Sequence, residues 1–557
     1  MSGKFRHTCW ARVKYDLALQ FQHMSGRILI IDALSTGTGQ RRSSRDSIGC
    51  GPRSVAGIFE KHGLNCRIRR AEEVLSKKSI LQQFDHLAIS AMTMDSPAVK
   101  MLMKQWRHKS RSSGRTIIGG PIASNPEVLK DLSADVLVIG EGEATLEELV
   151  TRHFFEDPLD LSSVKGIAFR GAHGIHVTPA REFITTEALS QEYMPSITRI
   201  IDYPTYQASK IYVEVTRGCS NFRRTTLPLT DGRQCSDCGN CDSERLDVRM
   251  KCPEDIPPGC GFCSVPSTWG PPRSRSPSVI VQEVKGLLEL GVHRIVLESP
   301  GFLDYMRGRE PLTNPCFPPA NLEAIRNLLG ELNSLPQLVD GTAHIAIENM
   351  KACLFTEAVA LTLNKSKISS SPNIGIETGS DEHMKAIGKC GRPDDVLTAV
   401  RIAVNHGMKP FVYFIYGLPG EDADSTRESI RMMRALSDAG AERIILYGFR
   451  PLPGSAFEGF PESSTRDEFG AQLRQEAERI NRKKKIDYLG QVVQGIAAEP
   501  SWAQVGYTMV YPLREGPLMT VPGGFSAGTM VQVRIQRVLS SGLVEGEIVP
   551  GSEFESR

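Results

Sequence analysis

Residues 211–219 read IYVEVTRGC, a β-branched and apolar run that stops at a Gly-Cys pair. Such a run, with period-two alternation at its start, predicts a strand whose end carries a reactive side chain. The same kind of run returns as RIVLES (294–299), HIAIEN (344–349), NIGIETG (373–379), PFVYFIYG (410–417) and RIILYGF (443–449). A stretch able to form a helix adjoins each. Strands alternating with helices predict parallel pairing, and six units predict a partial (β/α)6 barrel over 206–455 with its chemistry at the C-terminal strand ends.

Working outward, RILIID (27–32), HLAISAM (86–92), RTIIGG (115–120) and DVLVIGEGE (135–143) repeat the pattern upstream. They predict a Rossmann-like parallel sheet over 24–152, joined to the barrel by a looser connector, 153–205. Downstream, 456–488 reads as a helical linker ending in the basic run Arg482-Lys483-Lys484-Lys485. Short strands with glycine turns at 489–557, including MVQVRIQRV and GLVEGEIV, predict a small OB-like β-barrel. The fold class is therefore α/β with a C-terminal barrel. Residues 1–23 lack the apolar core of a signal peptide and read as an arm or a mis-set start.

The chain has 557 residues, 40% hydrophobic and 23% charged, which supports several domains with cores of their own. Lys plus Arg is 66 against 64 acidic residues, a net charge of +2 that excludes a basic nucleic-acid coat and an acidic disordered tail. No eighteen-residue apolar run occurs, so the expectation is a cytoplasmic protein with no membrane partner. Of 13 cysteines, seven lie between Cys219 and Cys263, a clustering that points to metal or iron–sulfur chemistry.

Thr216-Arg217-Gly218-Cys219 and Gly259-Cys260-Gly261-Phe262-Cys263 together resemble the radical S-adenosylmethionine (SAM) family. In that family three cysteines hold a [4Fe-4S] cluster whose open iron chelates SAM. The usual C-x3-C-x2-C run is here split by an insertion, 220–259, which costs little extra loop-closure entropy. The resemblance implies that Cys219, Cys260 and Cys263 are the catalytic cluster ligands. It also implies a SAM-contacting loop at Gly375 to Ser380, with Glu377, Gly379 and Ser380, and an adenine-backing strand ending at Gly417. Glu298, at the end of the second barrel strand, is a weaker SAM-pocket candidate. A rival assignment places the cluster on Cys235, Cys238 and Cys241.

In the N-terminal domain, Asp32-Ala33-Leu34-Ser35-Thr36-Gly37, then Ser90-Ala91-Met92, then Gly119-Gly120, resemble the cobalamin-binding series D-x-H-x-x-G, S-x-L, G-G. Gly140-Glu141-Gly142-Glu143 completes it at the next strand end. The resemblance implies a cobalamin site whose glycines admit the cofactor and whose Ser90 and Thr93 bond its nucleotide tail. Leu34 stands where the family has the cobalt-ligating histidine, so the cofactor is expected base-off without that ligand. No G-x-G-x-x-G opens a helix after the first strand, which argues against NAD.

Inside the insertion, Cys235, Cys238, Cys241 and Cys252 form a polar loop with little core of its own. Four thiolates there suit zinc or a second iron–sulfur cluster. Cys9, Cys50, Cys66, Cys316, Cys353 and Cys390 share no spacing and read as packed or surface thiols. The C-terminal segment resembles a TRAM domain, which makes RNA a partner to weigh: Arg534, Arg537 and Lys483–Lys485 are the candidate phosphate contacts.

A cobalamin domain before a radical SAM barrel resembles the class B radical SAM methyltransferases, over roughly residues 25–450. The resemblance implies that one SAM supplies a methyl group to cobalamin. A second is cleaved reductively by the cluster, with electrons from a reductant protein, to activate an unactivated substrate carbon. Enzymes of similar outline in methanogens methylate residues of methyl-coenzyme M reductase, so a protein residue such as a glutamine or arginine is the first expected substrate. A tRNA-modifying enzyme is the second reading, and a cobalamin-dependent radical enzyme without methyl transfer the third. A non-catalytic cobalamin sensor would have no use for the split cysteine triad.

Overall fold

The computed structural model describes residues 26–41, 44–109, 114–366 and 371–552; the arm expected over 1–23 lies outside them. The chain forms two compact units. Of the described residues, the first takes those in 26–45, 49–184 and 191–203, and the second those in 46–48, 185–190 and 204–552.

The first unit is a seven-stranded sheet in the order Cys66–Arg70, Ile28–Asp32, His86–Ser90, Thr116–Gly119, Val136–Val138, Ile167–Gly171, Gly174–Val177. The first five strands are parallel and the last two join antiparallel. Leu29, Ile31, Leu87 and Ile89 pack in one cluster with Val99, Leu102 and Trp106 of helix Ser96–Lys109. The alternate residues Ile28 and Ile30 are equally buried, so both sheet faces are covered, which is why the strand reads as an unbroken apolar run. The stretch expected as a connector contributes the hairpin Ile167–Gly171/Gly174–Val177 to this sheet. It also brings the Tyr203 hydroxyl to Asp32 Oδ2 at 3.0 Å.

In the second unit all six expected strands form, in two parallel sets. One runs His344–Ile347, Arg294–Glu298, Lys210–Glu214, with the short strand Ser47–Ile48 on its far edge. The other runs Asn373–Glu377, Phe411–Tyr416, Arg443–Gly448. Covering helices follow the expected alternation. Helix Pro277–Glu289 opens on proline, whose lost N–H is spare in a first turn, and buries Ile280, Val284, Leu287 and Leu288 along one face.

The C-terminal strands Val492–Pro500, Tyr507–Pro512, Leu518–Pro522, Leu543–Ile548 and Met530–Val538 close into a five-stranded barrel, in that order. Val510, Met519, Val531, Val533 and Val544 pack within it. Among the described residues no helix is long and apolar enough to cross a membrane.

Candidate functional site

The first barrel strand gives way to a two-residue strand, Thr216–Arg217, paired antiparallel with Arg273–Ser274. The next residue, Gly218, has φ +89°, and a Cβ there would lie 2.6 Å from the Gly270 carbonyl oxygen, so only glycine fits the turn. The Cys219 N–H then donates to that same carbonyl at 3.0 Å. Forty residues later the chain returns. Gly261 N–H donates to Ile387 O, and Cys263 N–H to Cys260 O, each under 3 Å.

Asn221 ties the two cysteine segments together. Its backbone N–H points at Cys219 Sγ (3.4 Å), and its Nδ2 donates to Cys260 Sγ (3.2 Å) and to Gly388 O (3.0 Å). Burial pushes all three thiols up, Cys263 to about 11 with Cys219 adding to it. Cys219 and Cys263 both act on Cys260, against the lowering effect of Lys389. Cys219, Cys260 and Cys263 are thus gathered by the fold, with two ammonium groups, Lys351 and Lys389, acting on them. A half-buried set of soft donors, with Asn221 directed at two of its sulfurs, suits a metal cluster, whose binding releases the thiol protons.

At the other strand ends, Glu377 has φ +65° and pairs with Lys389 Nζ at 3.0 Å. Gly379 N–H donates to Ser429 Oγ at 2.8 Å, and Ser380 caps helix Asp381–Ala386. Gly417 N–H donates to the Glu421 carboxylate, which burial pushes up to about 7. Glu298 ends strand Arg294–Glu298, in register with Glu214. Sequence reasoning missed Glu214. It is held by Arg217 (2.8 Å) and Arg275 (3.3 Å), whose positive charges outweigh its burial and lower it to about 2. It also missed Asp304, which binds Arg307 at 2.7 Å and also Lys351 and Ser220. Asn221 was within reach of sequence reasoning, two residues after the first cysteine. No spacing marks Asp304.

Within the insertion, Cys235 and Cys252 pack against the cluster containing Phe449 and Phe457, Cys238 is exposed, and Arg224 Nη1 reaches Cys241 Sγ at 3.5 Å. This quartet does not converge to metal-ligand spacing. Among the described residues the group whose ligand atoms all lie within 4.8 Å of one another is Cys316, Cys353 and Cys390. The expectation that these three are unrelated thiols is therefore corrected: the barrel loops bring together cysteines that the sequence keeps 37 residues apart.

In the first unit the expected cobalamin residues line the C-terminal strand ends. Asp32, fully buried, accepts from Leu34 N–H at 2.9 Å and from Arg41 at 3.3 Å. Asp95, which sequence reasoning missed, joins two loops by accepting from Gly37 N–H (2.8 Å) and Met92 N–H (3.0 Å). Thr93 Oγ1 donates to Pro121 O at 3.3 Å, and Ser90 Oγ lies against Gly51. Gly120 is demanded by the chain itself, since a Cβ would meet Ala91 O at 2.6 Å; Gly119 has only ordinary contacts. Glu141 accepts from Ile184 N–H at 2.6 Å and so anchors its loop, next to Gly142.

Two observations test the fit to a corrin. Nothing lies within 4 Å of where a side chain would start at Gly37 or Gly140, and Met92 and Met94 are each more than a third exposed on the intervening loop. Open backbone beside uncovered thioether side chains suits a broad, largely apolar ring. No histidine occurs in 32–41, 90–95, 119–125 or 138–143.

The charges expected to meet phosphate are partly engaged. Lys485 is buried against Glu442 (3.7 Å), and Arg537 pairs with Glu545 (2.7 Å).

Comparison with known proteins identifies the two domains that hold these residues' neighbourhoods. Residues 45–150 match the B12 binding domain and residues 251–433 the Radical SAM superfamily. The class is thus a cobalamin-dependent radical SAM enzyme, with cobalamin and SAM as its cofactors; the structure of TsrM from Kitasatospora setae holds cobalamin and a [4Fe-4S] cluster. The chain is 40% identical over 500 residues to Uncharacterized protein MJ1620 of Methanocaldococcus jannaschii, covering 89% of this chain and 94% of the relative. It is 37% identical to Uncharacterized protein MK0932 of Methanopyrus kandleri, covering 94% and 97%. It belongs to the family of these two proteins. At 25% identity, over 54% of this chain and 65% of the relative, it is also similar to the ribosomal protein uS12 methylthiotransferase RimO of Bdellovibrio bacteriovorus. In fold it is like the radical SAM methyltransferase TsrM of Kitasatospora setae (TM-score 0.56, 14% identity, 78% of this chain and 75% of that one). It is likewise similar to the cobalamin-dependent SAM radical enzyme OxsB (TM-score 0.54, 14% identity, 75% and 53%).

Proposed function

We propose that the chain is a radical SAM C-methyltransferase that moves a methyl group from SAM, by way of cobalamin, to an unactivated carbon of a protein residue, with a glutamine of methyl-coenzyme M reductase as the specific candidate. The observation that carries the reading is the convergence of Cys219 and Cys260 on Asn221, with Cys263 turned back onto Cys260 by its N–H, in a chain that also has a cobalamin-binding domain. Bound together, the cofactors supply a carbon radical and a transferable methyl group. The chain's residues position and shield. Cys219, Cys260 and Cys263 would hold the cluster, and Asn221 donates toward the sulfurs of Cys219 and Cys260. Lys389 holds Glu377, and with it the loop that carries Gly379 and Ser380 toward SAM. Asp95 joins the loops of Gly37 and Met92, which would border a bound cobalamin. Leu34 offers cobalt no electron pair.

The similarity to methylthiotransferases, with the closed C-terminal barrel read as a TRAM domain, supports a second reading, tRNA modification. The pairing of Lys485 and Arg537 with carboxylates weighs against that barrel as a strong phosphate binder. The test is anaerobic turnover with methyl-deuterated SAM, offering reductase-derived peptides and tRNA in parallel. Label on a peptide carbon, with 5′-deoxyadenosine formed, is the expected result. Cys260→Ala should abolish the nucleoside, and unchanged SAM cleavage in that variant defeats the cluster assignment. Label on tRNA alone makes the second reading the right one.

A further inference from the structure

Cys316 and Cys353 are paired as a disulfide with Cα atoms 5.6 Å apart, and a third sulfur, that of Cys390, converges on the pair. Three separate loops deliver them. The Asn314 side chain accepts from the N–H groups of Cys316 (3.1 Å) and Phe317 (3.2 Å), which turns the first loop. Cys353 lies in the short turn Ala352–Leu354, its Sγ facing Pro315 O at 3.7 Å. Cys390 leads into helix Pro393–Asn405, and the adjoining Gly391 sits against Cys353.

A disulfide needs two sulfurs, so the gathering of a third is what calls for explanation. Around one tetrahedral ion with metal–sulfur bonds of ~2.3 Å, thiolates sit about 3.8 Å apart, a separation the Cys316 and Cys353 sulfurs reach by parting once reduced, that of Cys390 already lying within 4.8 Å of both. A cubane would spread them over separate irons. Among the described residues no fourth histidine, cysteine or carboxylate joins the group, so one coordination position is left to water or an incoming donor.

We propose that Cys316, Cys353 and Cys390 form a three-thiolate site for one soft divalent cation of the zinc type, next to the radical SAM cysteines. The site opens by reduction. A dithiol gives two electrons and two protons to the Cys316–Cys353 bond and itself closes to a disulfide. The two thiols so formed and that of Cys390 then release three protons as the cation binds. The proposal does not depend on methyl transfer, and it adds a metal to a barrel whose known chemistry needs only its cluster.

The test uses the full chain, reduced with dithiothreitol without oxygen, with Zn²⁺ counted by competition against a chromogenic chelator and Co²⁺ as a spectroscopic probe. The wild type should bind one Zn²⁺ more than Cys316→Ser/Cys353→Ser/Cys390→Ser and show stronger thiolate-to-cobalt charge transfer. Cys390→Ser alone should weaken that ion at least tenfold. Because it leaves the Cys316–Cys353 pair able to close, its loss of metal is not a folding failure, and a thermal melt of the unreduced variant checks this. Equal zinc content and equal cobalt spectra in all three proteins overturn the site. Loss of iron and sulfide in place of zinc overturns the single-ion assignment.

Discussion

Replacing Asn221 by alanine separates what holds the two cysteine segments from what binds the metal. The side chain is 2% exposed and donates to Cys260 Sγ (3.2 Å) and Gly388 O (3.0 Å). Leaving the buried Gly388 carbonyl unpaired costs about 1–3 kcal/mol of stability. A hydrogen bond to a charged acceptor is worth ~1.5–3 kcal/mol and strengthens as a cluster gains an electron. If about 1 kcal/mol of it belongs to the reduced state alone, its loss lowers the cluster potential by roughly 40 mV, since a one-electron couple shifts ~59 mV per tenfold change. The assay is a redox titration of the reconstituted cluster followed by electron paramagnetic resonance, alongside denaturant unfolding. The expected variant keeps its iron, titrates at a lower potential and forms 5′-deoxyadenosine more slowly. An unchanged potential with full cluster content refutes the bridging role.

Two further outcomes follow from other residues. Glu421 sits near 7 where a free glutamate titrates near 4.5, so the folded state holds its proton over that interval. Stability from this group is therefore greatest below pH ~4.5 and falls by about 3 kcal/mol as pH rises to ~7; Glu421→Gln should remove that part of the pH profile in denaturant melts, and identical profiles would refute it. With Leu34 in place of a ligating histidine, the Co(II) form with nitrogen-15 histidine should show no histidine superhyperfine splitting, and its appearance would reverse that reading.

What was legible follows from where apolar side chains sit. The six barrel strands are apolar, β-branched runs, largely buried in Arg294–Glu298, His344–Ile347 and Asn373–Glu377 and buried at alternate or fewer positions in the rest, and each announces itself by its composition. Cys66–Arg70 was missed because its sequence, CRIRR, alternates buried Cys66 and Ile68 with arginines at the sheet edge. The hairpin at 167–177 was read as connector because most of Gly174–Val177 is exposed, so only its backbone pairing defines it. Cys219 and the Cys260/Cys263 pair were legible through their flanks, which ask for a turn glycine and a tight loop. Cys316, Cys353 and Cys390 carried no local signal, because three loops of the folded barrel alone bring them together. Leu34 could be read as a missing donor, but the tie that Asp95 makes between two loops needed coordinates.

The strand Ser47–Ile48 completes the edge of a sheet whose neighbour, Lys210–Glu214, follows about 160 residues later. During synthesis that short segment leaves the ribosome with the first unit and must wait for its partner to be made. The two units therefore cannot mature strictly one after the other, as separate beads would. A fragment beginning at 204 would expose the backbone of Lys210–Glu214 as an open edge, so cutting this chain between its units yields neither an intact barrel nor an exchangeable cassette.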